Sequence, residues 1–234
     1  MSLSPADAPI RYAIYFAPAR ASLWWQAGCR WLGRDPECRI SGLDATTPLR
    51  DSARRYGFHA TLKAPFRLAE GCDEAQLLAR AGLFAAQQTA LEVPLPSVRL
   101  LGNFLALQAS SPVPQISALA QECVRHFEVL RAAPTADELA RRGRVLLTAR
   151  QQALLRQWGY PYTEEEFQFH MTLSDSFAEV EPAVAQAMTE EARIVFAQAM
   201  AVPLVIDGIA IFREEGSGAA LELVARFGFG GVVG

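Results

Sequence analysis

Phe58-His-Ala-Thr-Leu62 returns later in the chain as Phe169-His-Met-Thr-Leu173. Each copy precedes a predicted helix and then a Val-Pro-Leu, which stands at Val93–Leu95 and again at Val202–Leu204. Each Val-Pro-Leu in turn leads into a predicted pair of strands. Self-similarity over so long a period indicates that the chain contains two similar halves.

The order of elements around the repeat predicts an α+β fold. A helix between strands, together with several hairpins, favours antiparallel sheets over a doubly wound parallel sheet. We expect two pseudo-symmetric lobes, each a small antiparallel sheet with helices, that face each other across a central cleft. The chain 1–234 then forms a single bilobal domain, with a first lobe motif at about 56–110, a helical connection at about 112–160 and a second lobe motif at about 165–228.

Hydrophobic patterning along the chain also predicts individual strands, helices and loops. Strands are predicted at 91–101 and 202–212, and a long helix at 136–158 before the Gly-Tyr-Pro that follows it. The region 33–48 combines glycine, proline and charge without periodicity, which predicts a loop.

Composition and net charge limit the range of possible functions. The chain of 234 residues has 22 basic and 25 acidic residues, a formal net charge of −3, which argues against a generic polyanion binder. All but one of the basic residues are arginine, and the exception is Lys63. The apolar share of 51% and charged share of 20% are typical of a globular protein.

The cysteines and the N-terminus predict a cytoplasmic protein. Four cysteines show neither C-x-x-C spacing nor a Cys/His cluster, so the sequence indicates no zinc site and no disulfide framework. The start, 1–9, has no basic region followed by an apolar stretch, and so does not resemble a signal peptide. The apolar runs are shorter than the roughly 20 residues of a membrane helix, and we expect no membrane association.

Strand alternation separates two kinds of side chain in each repeated segment. His59 and Thr61 share one face of their strand, as do His170 and Thr172, while the residues between them face the core. An imidazole and a hydroxyl two positions apart, roughly 7 Å along a strand, can both contact one small anionic group. Half-buried structural histidines would account for the apolar face and leave the polar face unexplained.

Two histidines facing across a cleft suit acid and base catalysis at phosphorus. Imidazole titrates near neutrality, so one ring can take a proton from a nucleophile while the other gives one to a leaving group. Thr61 and Thr172 can donate hydrogen bonds to phosphate oxygens, and Lys63, in phase with His59 on a regular strand, can add positive charge. This chemistry requires no metal and no cofactor.

Residues near the first motif are candidate substrate-binding groups. Arg54, Arg55 and Tyr56 directly precede it, and Tyr15 could face the cleft from the first predicted strand. The alternatives are a solvated positive surface for the arginines and core packing for Tyr15.

The paired His-x-Thr motifs resemble the signature of the two-histidine (2H) phosphoesterase superfamily. Four longer stretches resemble its branch encoded beside carbon-phosphorus lyase genes and associated with phosphonate metabolism: Arg11-Tyr-Ala-Ile-Tyr-Phe-Ala-Pro18, Trp31-Leu-Gly-Arg-Asp35, Tyr56-Gly-Phe-His-Ala-Thr-Leu-Lys-Ala-Pro-Phe66 and Trp158-Gly-Tyr-Pro-Tyr162. The resemblance implies a bilobal fold, a small phosphorus-containing ester as substrate, catalytic roles for His59 and His170, and phosphate-binding roles for Thr61 and Thr172. It leaves open which histidine is the base.

The sequence therefore predicts a metal-independent, cyclic-phosphodiesterase-like hydrolase acting on a cyclic or simple phosphodiester of a small phosphorylated or phosphonate-derived metabolite. One alternative is RNA 2′,3′-cyclic phosphate end processing or ligation, which predicts salt-dependent RNA binding. Another is a non-catalytic module that binds a nucleotide or phosphonate in the same cleft.

Overall fold

The computed structural model describes residues 9–37, 49–135, 138 and 146–230. Its strands are β1 (Arg11–Phe16), β2 (Ala60–Phe66), β3 (Leu91–Val93), β4 (Ser97–Leu101), β5 (Phe104–Gln108), β6 (His170–Ser176), β7 (Leu204–Ile206), β8 (Gly208–Glu214) and β9 (Leu221–Gly228). Its α-helices are α1 (Leu23–Leu32), α2 (Asp51–Tyr56), α3 (Glu74–Ala86), α4 (Pro114–His126), α5 (Ala149–Trp158) and α6 (Pro182–Phe196). Short 3₁₀ turns occupy Glu128–Leu130, Glu164–Glu166 and Ala199–Ala201.

Local sequence explains where two of these helices begin. Asp73 caps α3 and Thr148 caps α5, and in each case the glutamine three positions later, Gln76 or Gln151, completes a reciprocal capping box. These contacts satisfy backbone N–H groups that the first turn of a helix leaves unpaired.

Seven strands form one antiparallel sheet in the order β4-β5-β6-β2-β1-β8-β9. The α+β class and the antiparallel architecture are confirmed. The two motif strands, β2 and β6, are neighbours at the centre of the sheet and pair at Ala60 and Met171. The separate two-stranded sheet of β3 and β7 joins the two Val-Pro-Leu copies, with Val93 opposite Leu204.

Each side of the sheet ends in a hairpin from the other half of the chain than its motif strand. β2 belongs to the first half, yet it leads through β1 to the C-terminal hairpin β8–β9. β6 belongs to the second half and pairs with the hairpin β4–β5 of the first. Each side of the sheet therefore combines the motif strand of one half with the hairpin of the other, an exchange that the repeat did not indicate.

The core lies on one face of this sheet. Leu62, Leu105, Leu107, Met171 and Leu173 point to that face and pack with buried residues of α1, α3, α4 and α6. A smaller buried cluster on the opposite face contains Ala13, Tyr15, Ala210 and Phe212. Within the described residues, no helix combines the length and apolar character needed to cross a bilayer.

Several element boundaries differ from the sequence predictions. The strand predicted at 91–101 is two strands, β3 and β4, separated by a segment with Pro94 and Pro96, whose nitrogens cannot donate to a ladder. The strand predicted at 202–212 divides at Asp207 into β7 and β8. The helix predicted at 136–158 is helical from Ala149 to Trp158, while 136, 137 and 139–145 lie outside the described residues. Helices α1 and α2 were not predicted.

Candidate active site

The pairing of β2 with β6 brings the two repeated motifs side by side. Ala60 lies opposite Met171, and both side chains are buried on the core face. In an antiparallel pair the next residues on either side also face each other, which sets His59 against Thr172 and Thr61 against His170. The two His-x-Thr pairs therefore share the face of the sheet opposite the core, at its centre.

Backbone carbonyls fix the orientation of both imidazoles. The Nδ1 atom of His59 lies 2.8 Å from the Gly57 carbonyl oxygen, and the Nδ1 atom of His170 lies 2.8 Å from the Gln168 carbonyl oxygen. A carbonyl only accepts, so each Nδ1 carries a proton, and the proton-accepting lone pair of the neutral ring is on Nε2. The two halves thus present the same tautomer to the shared face.

Gly57 shapes the turn that holds the first imidazole. Its backbone has φ 79° and ψ 174°, a conformation that is essentially restricted to glycine. The His59 Nε2 atom lies 3.2 Å from the Thr61 hydroxyl oxygen, which can donate to it. A side chain at 57 would disturb the carbonyl that orients His59.

Burial favours the neutral form of both imidazoles and so lowers the pKa of each. Burial lowers the pKa of His59 to about 4, an effect that the hydrogen bond with Gly57 opposes and that the nearby His170 reinforces. Burial also lowers the pKa of His170, against a hydrogen bond with Gln168 that raises it. His59 is 9% exposed, whereas His170 is only partly buried, so His170 is the more accessible of the two to water.

Aromatic side chains wall the His59 side of the site. Tyr15 stacks on the imidazole, with ring centroids 3.8 Å apart and planes inclined by 22°. The rings of Tyr56 and Phe212 lie 6.1 Å and 6.4 Å from it. Burial raises the pKa of Tyr15 well above its ordinary value, so its phenol stays protonated. Tyr15 and Tyr56 thus lie beside His59, and Tyr15 is also packed in the buried cluster of this face.

The two candidate arginines of α2 have different surroundings. The guanidinium of Arg55 lies over the Tyr56 ring, 4.4 Å from its centroid, and pairs with the buried Glu214 at 3.4 Å. Arg54 donates to the Leu32 carbonyl oxygen and to Asp51. Because Arg54 and Tyr56 are two positions apart on a helix, they point in nearly opposite directions, which turns Arg54 away from the aromatic wall.

The expectation that Lys63 shares a face with His59 is wrong. Along β1, Tyr15 pairs with Thr61 but the adjacent Ile14 pairs with Lys63, so β2 has an extra residue between these two pairs, a β-bulge at Leu62. The bulge reverses the alternation beyond it and turns Lys63 to the core face with Ile14. There Lys63 is 3% exposed and its ammonium donates to Glu128 at 2.8 Å and to the Val124 carbonyl oxygen at 3.1 Å.

The His170 side contains residues that the sequence analysis missed. Phe104 on β5 lies 5.9 Å from the imidazole, centroid to centroid, and Gln108 pairs with His170 across the strands. A pocket continues outward from there, lined by Gln108, Ser110, Ser111, Ser117, Phe167 and Phe169. Alternation along 104–108 places Phe104 and Gln108 on one face, but only the pairing of β5 with β6 shows that this face is the one with the histidines.

Other candidate ligands do not gather near the site. Among the described residues, no three His, Cys, Asp or Glu side chains form a group that could hold a metal ion. Cys29, Cys72 and Cys123 are free thiols, and Cys38 lies outside the described residues.

Fold and site together define an α+β protein with two His-x-Thr pairs on one face of an antiparallel sheet, opposite the main core. The chain belongs to the family described as "Protein of unknown function (DUF1045)", whose model matches residues 61–222. A curated relative from Janthinobacterium sp. (strain Marseille), named Ribose 1,5-bisphosphate phosphokinase PhnN, is 47% identical over 97% of this chain and 52% of its own length. The chain spans about half the length of the curated relatives it matches.

Solved structures give further similarities. A structure described as a phosphoesterase is 14% identical, with a TM-score of 0.42 over 94% of this chain and 98% of that one. E. coli LigT complexed with NADP+ is 12% identical, with a TM-score of 0.41 over 95% of this chain and 99% of that one.

Proposed function

We propose that this protein is a metal-independent phosphoesterase of the two-histidine type, which hydrolyses a cyclic or simple phosphodiester of a small metabolite. One observation carries the proposal: His59 and His170 lie together on one sheet face, each with Nδ1 held by a backbone carbonyl and each beside a threonine. Two imidazoles with free Nε2 atoms supply a proton acceptor and a proton donor, and two hydroxyls supply hydrogen bonds to phosphate oxygens.

In the proposed reaction a water oxygen attacks phosphorus while the Nε2 atom of His59 takes the proton of that water. The bond from phosphorus to the leaving oxygen breaks, and the protonated Nε2 of His170 gives its proton to that oxygen. Opening of a cyclic diester in this way leaves a phosphomonoester. Burial of His59 favours its neutral form and hence the role of base, whereas the more accessible His170 can be reprotonated from solvent.

The relatives suggest a substrate class. They are named for a ribose bisphosphate, and hydrolysis of one ester bond in a ribose cyclic phosphate leaves a ribose phosphate monoester. We therefore place ribose cyclic phosphates first among the substrates, in phosphonate metabolism as the sequence resemblance implies. A P-loop kinase uses Gly-Lys followed by Ser or Thr, and the lysine of this sequence instead follows Leu62, so we do not assign the phosphokinase activity to this chain.

The first test compares three histidine variants. Ribose cyclic phosphates, 2′,3′-cyclic nucleotides and RNA with a 2′,3′-cyclic end are assayed with wild type, His59→Gln, His170→Gln and His126→Gln. His126 is the matched control, because it lies on α4 against Phe84 and Phe127 rather than on the site face. We expect kcat to fall about 10²- to 10⁴-fold in the first two variants and to be retained in the third. Full activity of either site variant would refute the mechanism.

A second test separates the base from the acid. A p-nitrophenolate leaving group departs without protonation, so His170→Gln should lose far less activity on a p-nitrophenyl phosphodiester than on an alkyl one, and His59→Gln should lose activity on both. In wild type, kcat/KM reports the free enzyme. It should fall below about pH 4, where His59 becomes protonated, and fall again as pH rises through the lowered pKa of His170, below 6.5. The opposite pattern with the two leaving groups would exchange the roles.

A further inference from the structure

A row of residues crosses the sheet from the second motif to its edge. Thr172 on β6 lies opposite Ala106 on β5, and Ala106 lies opposite Arg99 on β4. Residues that are directly opposite in an antiparallel sheet project from the same face. Arg99 is therefore on the face of the histidines, two strands from Thr172, or roughly 10 Å between Cα atoms at ordinary strand spacing.

Burial on the neighbouring positions confirms this placement. Val98, Leu105 and Leu107 belong to the main core, on the opposite face of β4 and β5. The residues that alternate with them include Phe104, whose ring contacts the His170 side of the site. Ala106 adds no long side chain of its own between Thr172 and Arg99, but it is fully buried, so neighbouring side chains such as Phe104 cover it.

The other side of the sheet also has an arginine, Arg226, two strands from β1, the neighbour of its motif strand, but that arginine is paired with a carboxylate, unlike Arg99 among the described residues. There the row runs from Thr61 through Tyr15 and Ala210 to Arg226 on β9. Arg226 donates to Asp207 and to the Ala17 carbonyl oxygen, which neutralise and hold it. Arg99 is exposed, and within the part of the chain that the structure describes it forms no ion pair.

We propose that Arg99 binds a second anionic group of the substrate, and that the substrate is therefore a sugar cyclic phosphate that carries another phosphate. The inference rests on the proposed function for the cyclic ester and adds the second phosphate. The scissile phosphate lies over the two His-x-Thr pairs, and the second phosphate lies toward β4, where the planar guanidinium can donate two parallel hydrogen bonds to its oxygens. On the opposite side the arginines are already paired, Arg55 with Glu214 and Arg226 with Asp207.

The test uses substrates that differ by one phosphate. Adenosine 2′,3′-cyclic phosphate with and without a 5′-phosphate is assayed with wild type, Arg99→Gln, Arg99→Lys and Arg125→Gln, the last an exposed arginine on α4 that serves as the matched control. Loss of a hydrogen bond to a charged group corresponds to about 10- to 100-fold. We expect wild type and Arg125→Gln to prefer the 5′-phosphorylated substrate by that factor in kcat/KM, Arg99→Gln to lose the preference, and Arg99→Lys to keep part of it.

A binding measurement keeps this inference distinct from the proposed function. Calorimetric titration compares adenosine 2′,5′-bisphosphate with adenosine 2′-monophosphate for the same variants, and needs no turnover. An Arg99-dependent preference in binding without hydrolysis supports the Arg99 site and overturns the phosphoesterase. Hydrolysis with equal losses on both substrates in Arg99→Gln, or with no preference in wild type, overturns the Arg99 site alone.

Discussion

Lys63 shows where strand alternation stops predicting which face of the sheet a side chain occupies. The period of two correctly places His59 with Thr61, because the ladder between β1 and β2 is regular there. The bulge at Leu62 ends that regularity, and the residue types at 61–63 do not predict a bulge. For Arg99 the alternation is regular and the β4–β5 hairpin sets its neighbour Ala106, but the face that it shares with the histidines depends on the tertiary pairing of β5 with β6.

The position of Lys63 predicts a structural effect without a catalytic one. Replacing it with Met removes a hydrogen bond between charged groups, while Glu128 keeps its bonds from Arg131. We expect Lys63→Met to lower the free energy of unfolding by about 1–3 kcal/mol in urea titrations and to leave kcat/KM of the proposed reaction unchanged. The double variant with Glu128→Gln serves as the control, since it leaves no carboxylate without its lysine partner. A fall in kcat/KM at an unchanged free energy of unfolding would show instead that Lys63 acts on the substrate.

At the scale of elements, helix α1 packs closely against Phe58, the residue of the first motif that directly precedes His59. A Cβ atom added at Gly28 would lie 2.1 Å from Cγ of Phe58, the buried residue directly before His59. Glycine at this position lets the helix approach the strand entry closely. Helix α1 was not predicted, so this contact could not be inferred from the sequence.

Gly28→Ala is therefore expected to displace Phe58 and, with it, the adjacent imidazole. Overpacking of this kind costs about 1–3 kcal/mol, and we expect a lower melting temperature together with a reduced kcat. Gly82→Ala in α3 is the matched control, because its Cβ would contact only Phe227 at an ordinary 3.7 Å. Alanine in a helix interior should raise stability there by up to about 1 kcal/mol. Equal behaviour of the two variants in thermal melts would contradict the close contact.

Strand pairing is the part of the fold that the sequence leaves undetermined. The repeat predicts two motif strands and two hairpins, and each hairpin could pair with either motif strand. Both hairpins offer similar apolar alternation, so the choice depends on how the whole chain packs. The prolines at 94 and 96 likewise end a strand at a place where hydrophobic patterning alone continues it.

For the whole molecule, the exchange of hairpins leads us to propose that the two lobes unfold together. Each side of the sheet contains the motif strand of one half and the hairpin of the other, so neither side can open without removing strands of both halves from the sheet. We expect a single urea transition, coincident by far-ultraviolet circular dichroism and tryptophan fluorescence. Two separated transitions would show that the lobes are independent. A chain ending at residue 207, which lacks β8 and β9, should fail to give the transition.

The crossed pairing has a consequence for how such a site could have been assembled. Each half of the chain contributes one imidazole and one hairpin, and that hairpin lies on the side of the sheet that holds the other half's motif strand. Two copies of a single half could therefore form such a sheet only by exchanging their hairpins. Apart from β1, which lies between β2 and β8 and has no counterpart beside β6, the strand order matches that of a swapped homodimer joined into one polypeptide. By the same logic, fragments cut between residues 135 and 146 would have complementary surfaces for reassembly in trans, and neither fragment alone would contain both imidazoles.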